Sequence, residues 1–218
     1  MTESIGSNNL RTTIAELYRA FREVPRPRTI PTCPCCVTQD EINILLSKAL
    51  PEICSQELDS YASSVFLTAG SDEDFHYFLP RILVLLSARF GSLTEREVVG
   101  RAIATFGWTK FGAREKEALI AYLDAVLTEA MEAPTPDGDL IDEWLCCVSH
   151  FLPHWDKYLE RVRQRPRALV ALFESHCPAL VNGRLGNGFW DDSPRKEEFR
   201  TWITRLVEKG EINAAYGL

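Results

Sequence analysis

The chain has 218 residues, enough for one generous domain or two small ones, and a net charge of −7. Hydrophobic residues at 45% and charged residues at 25% are globular values, which exclude wholesale disorder. The longest apolar clusters, such as Ile82 to Leu86, fall far short of the ~20 residues that cross a bilayer, and Met1-Thr2-Glu3-Ser4 does not open a secretory signal, so the expected compartment is the cytoplasm.

The apolar residues recur at helical spacing along the chain. Leu10, Ile14, Leu17 and Phe21 form a first stripe, closed by a linker with Pro25, Pro27 and Pro31. Thr38 and Glu41 are spaced as a capping box before Ile42, Leu45, Leu46 and Ala49, each side chain positioned to satisfy an orphan backbone N–H. Ser55 is placed to cap a third helix through Leu58, Ala62, Val65 and Phe66. Ser71 with Asp72, Glu73 and Asp74 opens a strongly apolar helix, because acids suit the positive end of the helix dipole. Pro80 should kink that helix or restart it.

Thr94 and Glu97 repeat the capping-box spacing before Val98, Ile103 and Phe106. A long helix follows through Leu119, Tyr122, Leu123, Val126 and Ala130, ending at the Pro- and Gly-containing segment 133–139. Beyond it lie Leu140, Trp144, Val148 and Phe151, then Trp155, Leu159 and Val162, then Leu169, Leu172 and Phe173. A Gly-rich loop from Asn182 to Gly188 precedes a last helix with Phe199, Trp202, Ile203 and Leu206.

Strand-like alternation is scarce. The expected fold is all-α, an antiparallel helix array in a single compact domain. Residues 1–32 would form an N-terminal helix and Pro-rich linker, and 33–218 the helical domain, with a sub-lobe boundary near 133–139. Phe78-Leu79-Pro80 recurs as Phe151-Leu152-Pro153, an echo that would suit equivalent positions in HEAT-like helical repeats.

Five groups of residues stand out as candidate sites. Cys33-Pro34-Cys35-Cys36 contains a Cys-x-x-Cys pair, Cys33 and Cys36, just before a helix N-terminus that favours thiolates. A tetrahedral zinc needs four ligands, and Cys54 is the nearest further thiol. The candidate metal set is therefore Cys33, Cys35, Cys36 and Cys54, set against ordinary packing thiols. Thioredoxin-like redox chemistry would require a strand–helix alternation that the sequence lacks.

Cys147, His150 and His154 fall at i, i+3 and i+7, but Pro153 interrupts the register and Phe151 stands where a zinc-protease helix has its glutamate. The Asn182–Gly188 loop lacks the Gly-Lys-Ser/Thr of a phosphate loop and reads as a connection anchored by Phe189 and Trp190. The basic run Lys157, Arg161, Arg163, Arg165 and Arg167 is short, broken by Pro166 and set in an acidic chain, so no nucleic-acid partner is expected. No nucleophile elbow appears.

Two stretches, Glu117–Asp156 and Pro51–Pro80, contain no Lys or Arg. Such surfaces repel phosphate and attract basic proteins, although solvated helix faces are the plainer reading. Asp137, Asp139, Asp142 and Glu143, with Trp144 as an aromatic anchor, form the candidate partner-binding set, although the helical spacing of Trp144 with Val148 and Phe151 makes a core position its plainer reading.

Cys33-Pro34-Cys35-Cys36 together with Asp72-Glu73-Asp74-Phe75-His76-Tyr77-Phe78-Leu79-Pro80-Arg81 resembles a family of uncharacterised bacterial helical proteins. The resemblance runs from about Cys33 to the Trp202 helix and implies a bacterial source and a helical fold. It carries no activity and no catalytic residues. The leading functional expectation is a non-enzymatic protein that binds and masks another protein, in its sharpest form an immunity protein neutralising a basic toxin domain. One alternative is a structural-metal (zinc) or thiol-redox protein built on Cys33–Cys36. The other is an enzyme whose site is assembled from residues distant in sequence.

Overall fold

A computed structural model describes residues 7–87 and 93–217. Among these the fold is all-α. Eleven α-helices follow in chain order, and the only β pairing is two isolated bridges, Thr32 with Ala69 and Val65 with Ala69. None of the described helices is long and apolar enough to cross a membrane. The chain divides into two compact units, residues 1–126 and 127–218.

The first unit holds α1 (Asn8–Ala20), α2 (Gln39–Ser47), α3 (Ser55–Ser64), α4 (Asp72–Ser87), α5 (Arg96–Phe106) and the first part of α6 (Ala113–Glu132). Its core is organised by α4, whose Phe75, Phe78, Leu79, Ile82 and Leu83 are fully buried. Tyr61 of α3 packs edge-on against Phe78, and Phe106 of α5 lies against Phe75. Tyr122 of α6 donates its hydroxyl to the Leu83 carbonyl. Pro80 is buried inside α4, which continues as one helix from Asp72 to Ser87.

The expected caps are met in part. Thr38 and Glu41 form the reciprocal box at the start of α2, with Glu41 N–H on Thr38 Oγ1 and Thr38 N–H on Glu41 Oε2 at 2.7 Å. At α3 the cap is Cys54, one residue earlier than Ser55, and its N–H donates to Glu57 Oε2. At α5 the cap is Glu95 rather than Thr94, and it makes no side-chain cap bond. The Thr94–Glu97 box does not form because Glu97 turns inward and is buried.

The second unit holds the end of α6, then α7 (Gly138–Ser149), α8 (Asp156–Arg163), α9 (Pro166–Leu180), α10 (Lys196–Glu208) and α11 (Glu211–Tyr216). Helices α7 and α9 approach closely at Gly138, where a Cβ would stand 2.0 Å from the Ala171 carbonyl oxygen. Any side chain there would force the helices apart. Trp144, Trp155, Trp190, Tyr158 and Phe199 fill the core, with Trp190 stacked on Phe199 at a centroid distance of 4.2 Å.

The Phe-Leu-Pro echo does not mark equivalent positions. The first copy lies inside α4, whereas the second falls in the turn after α7 and ends it. Helix α11 escaped the sequence reading because its six residues are too few to show a helical period.

Candidate functional site: a three-thiol turn

The segment leading into α2 is fixed by backbone hydrogen bonds on both sides. Cys33 N–H donates to the Thr68 carbonyl at 2.8 Å, and Gly70 N–H donates to the Pro31 carbonyl at 2.8 Å. This pairing holds residues 31–33 against the turn that precedes α4. The chain then reverses: Cys36 N–H closes on the Cys33 carbonyl at 2.9 Å, with Pro34 at the second position, where its fixed φ suits a turn. Val37 is buried, and Thr38 caps α2 immediately afterwards.

The outcome is that three thiols converge. The sulfurs of Cys33, Cys35 and Cys36 all lie within 4.8 Å of one another. Cys33 Sγ and Cys35 Sγ stand 2.6 Å apart, and Cys35 Sγ and Cys36 Sγ 3.7 Å. Cys35 is exposed while the other two are half-buried. All seven cysteines are free of disulfides. Hydrogen bonding from the Cys35 thiol holds Cys33 below the ordinary thiol range, and the same contact pushes Cys35 up to about 11. Cys33 is thus the first of the pair to become a thiolate.

Two features differ from the spacing argument. The nearest neighbour of Cys33 is Cys35, not its Cys-x-x-Cys partner Cys36. Cys54 does not join the cluster: it stands at the N-cap of α3, where its N–H donates to Glu57, which also pairs with Lys48.

The acidic set is divided by the fold. Asp137 and Asp139 are exposed and Glu143 is half-buried. Asp137 also caps α7 by accepting from Asp139 N–H and Leu140 N–H. Asp142 and Trp144 face the other way and are each only 2% exposed, so neither presents a surface to a partner. The cause is that α7 is packed on most of its circumference: from Ile141 to Ser149 every residue except Glu143 is buried.

Asp142 is the hub of a buried network that sequence reasoning missed. Its Oδ1 accepts from His176 Nε2 at 2.8 Å and from Trp190 Nε1 at 2.8 Å, and its Oδ2 accepts from Asn187 Nδ2 at 2.7 Å. Gly186 N–H donates to His176 Nδ1 at 2.9 Å, which leaves the proton on Nε2 for Asp142. The Gly-rich loop is therefore a strap over α9. At Gly186 a Cβ would meet the Ser175 carbonyl oxygen at 2.2 Å. No sequence signal joins Asp142 to His176, Asn187 and Trp190, since only tertiary packing brings them together.

A second inward carboxylate, Asp74, is fully buried in the first unit. It accepts from Ser71 N–H, from Ser71 Oγ at 2.6 Å and from the Tyr61 hydroxyl. Burial, then the Asp74 charge, raises the Tyr61 phenol well above its ordinary range. His76, two residues further along α4, sits among Phe21, Phe106 and Phe111 and pairs with Glu115 Oε1 at 2.9 Å. Glu115 also caps α6 by accepting from Gly112 N–H.

The remaining candidates do not assemble. Cys147 is buried, His150 is half-buried at the end of α7 and His154 is exposed beyond the Pro153 turn, so the three share no helical face. In the basic run, Arg161 donates to Thr128, Arg163 pairs with Glu160 and Glu211, Arg165 pairs with Glu132, and Lys157 lies over Tyr158. These guanidinium groups are engaged within the second unit rather than arrayed along a phosphate track.

Comparison with protein-family models, with curated proteins and with solved structures gave no match. The functional reading therefore rests on the residues of this chain.

Proposed function

We propose that this chain is a non-enzymatic thiol protein that binds a soft metal ion through Cys33, Cys35 and Cys36. The observation that carries the reading is the convergence of three sulfurs on a backbone-fixed turn. Thiolate sulfur is a soft donor and selects soft or borderline ions. Metal–sulfur bonds of about 2.3 Å at tetrahedral angles set sulfurs about 3.8 Å apart. Cys35 and Cys36 already stand near that spacing, and the Cys33–Cys35 pair would open as an ion enters. Metal binding is favoured over dithiol exchange because three sulfurs converge rather than two, in a fold without strand–helix alternation.

Cadmium titration of the reduced protein tests the reading through the sulfur-to-metal charge-transfer band. One equivalent should saturate the band, and a Cys33→Ser/Cys35→Ser/Cys36→Ser chain should show none. A wild-type chain without such a band would refute the proposal.

A second reading, the masking of a basic partner such as a toxin domain by an immunity protein, is supported by exposed Asp137 and Asp139 and half-buried Glu143 in a stretch without Lys or Arg. It no longer includes Asp142 or an anchor at Trp144. Complementary fields steer such encounters. A tagged pull-down at low and high salt tests it: a stoichiometric basic partner bound more weakly at high salt supports it, and retention unaltered by charge reversal at Asp137, Asp139 and Glu143 counts against it.

A further inference from the structure

Three features of the cysteine turn narrow the ion it suits. The first is ligand count. Structural zinc is closed by four protein ligands. Among the described residues no His, Asp, Glu or further Cys joins the three sulfurs within their 4.8 Å cluster.

The second is that the turn's backbone is held by hydrogen bonds of its own. It is bonded to Thr68, to the 68–70 segment through Pro31 and Gly70, and to itself through Cys33 and Cys36, while Val37 is buried and Thr38 caps α2. Structural zinc sites behave in the opposite way, since there the metal supplies the folding free energy. The third is access: Cys35 is exposed, so one ligand faces solvent.

Resting on the thiol reading above, we infer that the cluster is an exchangeable three-sulfur site for a soft monovalent cation of the copper(I) type rather than a structural zinc site. Soft thiolates select such ions, and three sulfur donors complete a site for them. Binding is an exchange of protons for metal: the S–H bonds of the thiols still protonated are broken, their protons leave to solvent, sulfur–metal bonds form and no electron is transferred.

The test uses the full chain, reduced and free of oxygen, loaded separately with copper(I) and with zinc(II). X-ray absorption at the metal edge gives the number of sulfurs, and thermal melts compare the loaded, metal-free and Cys33→Ser/Cys35→Ser/Cys36→Ser chains. The expected result is one copper with three sulfurs, unchanged by Cys54→Ser, and a metal-free chain that melts cooperatively within about 2 °C of the serine variant. A copper site with two sulfurs would overturn the inference. So would a four-coordinate zinc that requires Cys54 and without which the chain does not melt cooperatively, although the thiol reading itself would stand. Failure to bind either ion would remove both.

Discussion

The Cys33–Cys36 turn and the Asp142 network are both clusters of polar side chains that folding brings together, and they differ in where their bonding capacity goes. Around Asp142 the acceptors and donors satisfy one another in the core: both carboxylate oxygens are occupied, and both His176 nitrogens have partners. At the cysteine turn the backbone bonds are satisfied, while the three sulfurs lie against one another and Cys35 is exposed. The first arrangement stabilises a fold. The second leaves ligand atoms available for chemistry. Asp74, with Tyr61 and Ser71, belongs with the first kind.

That contrast predicts opposite responses to substitution. The largest loss of stability is expected at Asp142. Asp142→Ala strands the His176 and Trp190 donors in the core, frees the half-buried Asn187 amide, and should cost about 3–5 kcal/mol in urea denaturation. A loss below about 1 kcal/mol would place Asp142 outside the stabilising class.

Tyr61→Phe should cost less, about 1–3 kcal/mol at neutral pH, because Asp74 keeps its bonds to Ser71. The phenol also introduces an alkaline dependence. Its folded pKa is raised above the ordinary tyrosine value of 10.0, so its contribution is complete below pH 10 and is lost as pH rises toward the folded pKa. Chemical denaturation above pH 10 should show the wild type losing stability more steeply than Tyr61→Phe, and parallel curves would contradict the assignment.

Thr38→Ala removes one half of the α2 capping box and should cost about 1 kcal/mol, read from the denaturation midpoint. The smallest effect on stability belongs to the residues with the largest expected effect on binding. Replacing Cys33, Cys35 and Cys36 by Ser should change stability by less than about 0.5 kcal/mol while abolishing the metal complex. Alkylation of the metal-free protein at neutral pH sharpens this picture. Cys33, held below the ordinary thiol range, should react before Cys35, and the reverse order would contradict the proton distribution within the pair.

The sequence revealed what is local. Helical period located most helices, and the Thr38–Glu41 spacing located a real cap, because both depend on residues a few positions apart. It also pointed to the cysteine turn, where Pro34 and the i→i+3 closure are local. Long-range partners stayed hidden. A base-free acidic stretch shows charge but not facing, so Asp142 passes for a surface residue, whereas the spacing of Trp144 with Val148 and Phe151 already points Trp144 to the core. Only α9 and the 182–188 loop, folded against α7, reveal that Asp142 points inward. The Thr94–Glu97 box failed for a related reason: the spacing is present, but Glu97 is drawn into the core. Cys54 illustrates the limit of thiol counting, since proximity in sequence put it in the ligand set and the cap of α3 took it out.

The most direct test of the account is a mass-spectrometric footprint of cysteine alkylation, taken with and without one equivalent of copper(I). The account predicts that Cys33, Cys35 and Cys36 become protected together, while Cys54 and Cys177, both half-buried, keep their rates. Protection that falls on Cys54 or Cys177, or on none of the three clustered thiols, would contradict it.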